Sequence, residues 1–455
     1  MSTASALLFL ILALGGPNAK LADLLHQYFL ATDDAARSAL AEQIVLIPGI
    51  NRKSLAQAIR SVSLWEKQKT GQYDLQLRLG PGASSDRQVS LSVPPDYDPA
   101  RRWPLIITFH GTNGQSRQMV SMTRDLLGGR KDEFIIAAPQ SIGPLGLTSP
   151  PEQIGQIHEL LIAVRKRFHL DNDRVYVMGY SLGSHHTWLA IVVFPDDLAG
   201  AVPLATPLQL VGGDALFETL LPNARQIAIL FCWGVKDTLE PNGKPNPDGG
   251  NAELNRRMTA TIRGANFRSF EAVELPGVGH IGVRPPVDAF SAILDQKRVH
   301  EPKEIRQAFR LPVQSRAWWV EAEELQGDPL PDNTIKIHYA PGQDPVVAQK
   351  RYLTERLGVI EVKCEGQTIT LRGRKTKGLV LYLDDELLDL DKPIKIIRSG
   401  KARFEGRITP DLHIMLNEAA RSWDFDRLVS ARVVVPLSAK VRFGLDSKPA
   451  AHEKK

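Results

Sequence analysis

Two cysteines, Cys232 and Cys364, are all that this chain of 455 residues contains, which excludes a disulfide framework. A core of the size that this length allows needs no such staples. Cys232 falls in the apolar run Ile227 to Trp233 and reads as a small buried hydrophobe. Nor is there a run of the roughly 20 apolar residues that a bilayer span requires, so no stable membrane span is expected. The uncharged stretch Ala4 to Leu14 is too short to span and fits a signal-peptide core, followed by Gly-Gly-Pro-Asn-Ala and then Lys20. Residues 1–19 are therefore expected to be a signal peptide, with a secreted or periplasmic location. The competing reading is a buried helix. No cysteine follows the run, so a lipoprotein anchor is not available. Charge of one sign is also scarce: the net charge is +5, and no basic stripe with interleaved aromatics appears. That excludes nucleic-acid binding as a function class. Solenoid repeats and low-complexity tracts are absent.

What is present is ordinary globular material, 43% hydrophobic and 24% charged, enough for two or three folding units. Leu21, Leu24, Leu25, Tyr28 and Phe29 recur at helical spacing, so residues 20–72 read as a helical lead-in. Tyr73 to Leu79 and Val89 to Val93 alternate apolar and polar side chains, as hairpin strands do, with the loop near Pro81-Gly82. Strand and helix patterns then alternate. The expected strands are Leu105 to Phe109, Phe134 to Ala138, Arg174 to Met178, Ile227 to Trp233 and Phe270 to Leu275. A helix with its apolar face at Ile154, Ile157, Leu160, Leu161, Val164 and Phe168 is led by Ser149 and Glu152, the spacing of a capping box. Such alternation predicts a mostly parallel sheet covered on both faces. It stops near residue 298. Residues 299–310 are expected as linker, and residues 311–445 as a β-rich unit with strands including Ala317 to Val320, Thr334 to Tyr339, Val359 to Val362 and Ala431 to Val435. Residues 446–455 read as a polar tail.

The chemistry-bearing motif is Gly179-Tyr180-Ser181-Leu182-Gly183, placed after a predicted strand and before a helix-compatible run. A serine hydroxyl is a weak nucleophile, and it needs a sharp turn that exposes it and a base that takes its proton. His110-Gly111-Thr112 directly follows the strand Leu105 to Phe109, at the strand end that faces the turn. The backbone amides of Thr112 and Leu182 are the expected oxyanion donors. Asp237 is the first acid past the strand Ile227 to Trp233, with Asp248 as the alternative in a loop less suited to orienting a histidine. His280 follows the strand Phe270 to Leu275 in the run Pro276-Gly277-Val278-Gly279 and is the expected base. His110, Tyr180 and His185 are candidates for the substrate pocket. His185 and His186 lie too close to Ser181 in sequence to be the distal base, and they suit pocket wall or helix packing. Adjacent residues diverge on a helix, so the pair does not make a metal site.

Residues 73–298 resemble the α/β-hydrolase superfamily, in its esterase, dienelactone-hydrolase and prolyl-oligopeptidase-like branch. The resemblance rests on Pro94-Pro95-Asp96-Tyr97-Asp98-Pro99 ahead of Trp103-Pro104-Leu105, the His110-Gly111 loop, the Ser181 turn, Gly234 to Asp237, and Gly279-His280. Asp173-Arg174-Val175-Tyr176 is similar to secreted feruloyl esterases and polyhydroxybutyrate depolymerases. The resemblance implies an α/β fold with a doubly wound sheet for about half of the chain; the helical lead-in before it and the all-β C-terminal domain after it are expected from the residue patterns above, and the C-terminal region resembles no named family. The resemblance also implies an esterase that uses Ser181, Asp237 and His280 and needs no cofactor. A small-molecule or polymer-linked ester is the implied substrate. Two alternatives stand beside it: a serine peptidase of the prolyl-oligopeptidase type, and a catalytically silent binding protein on the same scaffold. The C-terminal unit is expected to bind a polymer or surface, or to act as a lid. Trp318 and Trp319, adjacent in an expected strand, would face opposite sides.

Overall fold

The computed structural model describes residues 17–79, 86–140, 151–208, 219–238, 244, 249–327, 330, 341–436 and 442–443. Three helices lead: α1 (Pro17–Leu30), α2 (Asp34–Val45) and α3 (Arg52–Ser61). Asn51 caps α3 reciprocally with Ser54, which satisfies amide donors that the first helical turn leaves without partners. The expected signal segment up to residue 16, the Ser149 cap, Asp248 and the expected strand 334–339 lie outside the described residues. No described helix is long and apolar enough to cross a membrane.

The strand–helix alternation of the sequence forms β1 (Gly71–Leu77), β2 (Arg87–Val93), β3 (Trp103–Phe109), α4 (Ser116–Leu127), β4 (Ile135–Pro139), α5 (Pro151–Arg167), β5 (Leu170–Tyr180), α6 (Leu182–Val193), β6 (Gly200–Leu204), β7 (Ala228–Gly234), α7 (Gly250–Arg263), β8 (Ser269–Leu275) and α8 (Val287–Leu294). Their sheet runs in the order β1-β2-β4-β3-β5-β6-β7-β8. The hairpin strands pair antiparallel, and every pairing from β4 to β8 is parallel. Strands β3, β4, β6 and β7 are buried along their whole length, as a sheet covered on both faces requires. This is the α/β-hydrolase arrangement. Strand β6 has no counterpart among the strands expected from sequence, because Gly200 and Pro203 read as strand breakers.

The remainder forms β9 (Glu304–Phe309), β10 (Val320–Ala322), α9 (Pro345–Arg356), β11 (Gly358–Glu365), β12 (Thr368–Arg374), β13 (Gly378–Leu383), β14 (Ile394–Arg398), β15 (Lys401–Gly406), α10 (Leu412–Ser422), β16 (Ala431–Pro436) and β17 (Arg442–Phe443). They make a five-stranded sheet, β15-β14-β12-β11-β9, and a four-stranded one, β10-β13-β16-β17. Three expectations change here. Residues 304–309, within the expected linker 299–310, are a strand, because Ile305, Ala308 and Phe309 are buried and β9 ladders onto β11. The region is mixed rather than all-β: Asp411 caps α10, which buries Ile414, Met415, Leu416 and Ala419 at helical spacing. Trp318 and Trp319 do not face opposite sides of a strand. Trp318 has a φ of 53°, both rings are buried, and their indole N–H groups donate to the Val299 and Pro302 carbonyls at 2.9 Å each.

The regions are welded together. Residues of α1 to α3 share one apolar cluster with Met415, Leu416, Trp423 and Phe425. Arg298 makes a two-pronged contact with Asp424, at 2.5 and 3.0 Å, and donates to Asp173 at 3.1 Å. Arg165 bridges Asp197 and the Ser422 carbonyl, and Arg427 reaches Asp196 at 2.6 Å. All these charged groups except Asp173 are buried or nearly so.

Candidate active site

Parallel strands end together, so the residues that follow β3, β5, β7 and β8 share one edge of the sheet. Ser181 closes β5 and precedes α6 with a φ of 56° and a ψ of −116°, a conformation that non-glycine residues rarely adopt. The turn is tight on both sides. A Cβ on Gly179 would lie 2.0 Å from the Gly183 carbonyl oxygen, and one on Gly183 would lie 2.0 Å from that of Phe109. The loop after β6 clamps the turn: Ser181 N–H donates to the Leu204 carbonyl at 3.0 Å, and Thr206 Oγ1 donates to the Ser181 carbonyl at 2.6 Å. Thr206 in turn accepts from Ser184 and Trp188.

The structure brings Ser181, His280 and Asp237 into one hydrogen-bonded chain. Ser181 Oγ lies 2.8 Å from His280 Nε2, and His280 Nδ1 lies 2.7 Å from Asp237 Oδ2. With Nδ1–H donating to the carboxylate, Nε2 is the free lone pair that faces the serine hydroxyl. Asp237 is fully buried, whereas the His280 side chain keeps 21% exposure and so stays open toward solvent or substrate. Asn251 Nδ2 donates to the second carboxylate oxygen at 3.3 Å, and the Ala252 N–H donates to the Asp237 carbonyl at 2.8 Å. Asp237 is thus held against the first turn of α7, where a negative charge is favoured. Gly234 is indispensable to this approach: a Cβ there would sit 2.3 Å from the carbonyl oxygens of both Val278 and Gly279.

Leu182 is the first residue of α6, so its amide has no acceptor within the helix. The His110 loop presses on the nucleophile, since a Cβ on Gly111 would lie 3.2 Å from Ser181 Cβ. Thr112 follows in a turn closed by Gly114 N–H to the Gly111 carbonyl at 3.0 Å. His110 is half-buried in the same loop. Tyr180 braces the base: its hydroxyl donates to the His280 carbonyl, and its ring meets the imidazole edge-on at 6.1 Å between centroids. Burial raises the Tyr180 phenol, keeping it protonated as a donor. His185 is buried in α6 rather than placed on an open wall. Burial, helped by neighbouring His186, pushes its imidazole down to about 3, so it is neutral packing.

Sequence reasoning did not single out Thr206 or Asn251. Neither belongs to a motif, and each reaches the site from a separate loop or helix. Among the described residues no group of acidic, histidine or cysteine side chains is arranged to hold a metal.

The fold and site together define a Ser–His–Asp chain on an α/β-hydrolase sheet. No protein-family model matches the sequence, and no curated relative does. Solved structures do match part of it. A thermostable esterase is 19% identical with a TM-score of 0.38, over 50% of this chain and 63% of its own, under two thirds of that esterase's length. A ferulic acid esterase of Anaeromyces mucronatus is 15% identical with a TM-score of 0.36, over 51% of this chain and 93% of its own. A dipeptidyl aminopeptidase IV-type protein of Bacteroides ovatus is 11% identical with a TM-score of 0.38, over 50% of this chain and 35% of its own.

Proposed function

We propose that the protein is a serine hydrolase that cleaves carboxylic esters through an acyl-enzyme. The observation that carries this reading is the chain from Ser181 Oγ through His280 to buried Asp237, at 2.8 and 2.7 Å. In the proposed reaction His280 Nε2 takes the Ser181 proton as Oγ attacks the ester carbonyl. Asp237 holds the imidazole in the required tautomer and balances its cation. The Thr112 and Leu182 amides receive the tetrahedral oxyanion, a role worth roughly 3–4 kcal/mol per donor in comparable sites. His280 then protonates the leaving alcohol. Water, deprotonated by the same nitrogen, attacks the acyl carbonyl and releases the acid. The apolar run Ala4 to Leu14 supports a secreted or periplasmic location.

The test is hydrolysis of p-nitrophenyl esters of graded chain length, run beside a feruloyl ester and an acetylated sugar. Ser181→Ala is expected to lower kcat by about 10⁶-fold with its circular dichroism unchanged. Activity of the variant above a tenth of the parent's would reject the reading. Covalent labelling of Ser181 by a fluorophosphonate, read as a mass shift, separates a live hydrolase from a silent scaffold.

A further inference from the structure

A concave surface lies at the end of the hydrolase sheet opposite Ser181. Arg225 precedes β7 and Arg268 precedes β8, whereas Asp237 and His280 follow those strands. Seven residues of strand separate the two ends, roughly 20 Å. The facing wall belongs to the five-stranded sheet. Glu361 of β11 is in register with Arg306 of β9 on one side and Arg372 of β12 on the other, so the three side chains form one row on one sheet face. Between the walls is a cleft of about 570 Å³, within the range of small-molecule sites.

Its lining is unbalanced in charge. Arg225, Arg268, Arg306, Lys363 and Arg372 face Glu304 and Glu361, five cations against two carboxylates. Lys363 is already paired, with Glu304 at 3.1 Å and Glu365 at 2.7 Å. Of the four guanidiniums, Arg306 donates one N–H to the Thr219 carbonyl at 2.8 Å and Arg268 one to the Lys297 carbonyl at 3.1 Å, and the carboxylate nearest Arg306, that of Glu361, stays at 3.9 Å, beyond hydrogen-bond length. Arg225 and Arg372 have no carboxylate within ion-pair distance among the described residues. Burial, and then the nearby charges of Arg225 and Arg374, lower the Arg306 guanidinium, with Glu361 opposing. Solvated surface arginines spread away from one another. Here they come from two walls into one hollow, which costs repulsion that a bound anion would relieve. The planar guanidinium fork matches carboxylate and phosphate oxygens two at a time.

We propose that this cleft binds a small multivalent oxyanion through Arg225, Arg268, Arg306 and Arg372, at a site separate from Ser181. The inference does not rest on the proposed ester chemistry. Pyrophosphate and citrate distinguish a phosphate source from a carboxylate source, and acetate is the monovalent control. Isothermal titration of the full chain in low-salt buffer is expected to show saturable one-to-one binding of at least one of the two, with acetate silent. Arg268→Glu and Arg372→Glu, both at exposed positions, are each expected to weaken that binding by about tenfold or more. Their circular dichroism and p-nitrophenyl ester hydrolysis should match the parent. Arg268→Gln and Arg372→Gln replace them if the charge reversals fail to fold. Absence of saturable binding by both anions at roughly 10 mM, or binding unchanged in the variants, overturns the proposal.

Discussion

At the residue scale the most informative side chain is Asp237. It is fully buried, and its partners His280 and Asn251 take one carboxylate oxygen each. Asp237→Asn keeps the shape but puts an amide where the acceptor of the Nδ1 proton was. The imidazole then turns to the wrong tautomer, with its proton facing Ser181. A fall in kcat of about 10³–10⁴-fold is expected on a p-nitrophenyl ester, with little change in KM. A loss below tenfold would mean that Asp237 is not the orienting acid. Asp237 was legible as the first acid past a buried strand. Asn251 was not, because an asparagine in the first turn of a helix carries no sign of what it faces.

At the scale of elements, the sharp turn between β5 and α6 is the piece on which the geometry depends. Its glycines are needed for closeness rather than for torsion. A methyl group on Gly183 would meet the backbone at the end of β3, with the Phe109 carbonyl oxygen at 2.0 Å and its carbon at 2.6 Å. Backbone at a strand end cannot step aside, so α6 must shift and carry Ser181 with it. Gly183→Ala is expected to lower the melting temperature and to cut kcat/KM by about 10²-fold, the usual cost of an ångström of misplacement. Thermal melts and ester kinetics on the same preparation check both effects. The motif was plain in sequence because strand, turn and helix are contiguous. The loop after β6 that clamps it was missed along with β6, since Gly200 and Pro203 hide a strand that the neighbouring β5 and β7 impose.

The whole molecule behaves as one unit in its contacts, which bears on the role of the C-terminal region. Cutting after residue 300 would strip Asp424 and the Ser422 carbonyl from Arg298 and Arg165, both nearly fully buried. An uncompensated buried charge costs about 3–5 kcal/mol, and the cut also removes the aromatic cover of α1 to α3. The truncated chain is expected not to fold, as judged by the loss of a cooperative melt. A soluble, fully active fragment would show instead that the C-terminal region is an independent module. Acid should loosen ion pairs at these seams and within the C-terminal region. Burial would raise the Glu418 carboxyl, but Arg316 and Arg421 outweigh it and hold it at about 2. Burial likewise opposes, and His300 and Arg298 overcome it, to hold Asp173 at about 2. Both folded-state values lie below the ordinary carboxylate range, so these pairs stabilise the protein above that range. The stabilisation is lost as pH falls from about 4.5 toward 2. Melting temperature measured across that interval should fall, and Glu418→Gln should flatten the fall.

The sequence by itself determined what is local. Apolar runs of strand length, the turn around Ser181 with its two glycines, and the loops that put His110, Asp237 and His280 just past strand ends all follow from short-range pattern and backbone chemistry. Tertiary structure alone decided what depends on distance in space. Which strand neighbours which, how Asp237 meets a histidine 43 positions further on, and why Arg298 finds Asp424 are set by sheet order and by the cost of leaving a buried charge unpaired. The same holds for the cleft, where two arginines before β7 and β8 face two more on another sheet. No stretch of chain contains that arrangement, because it exists only once the two sheets pack side by side.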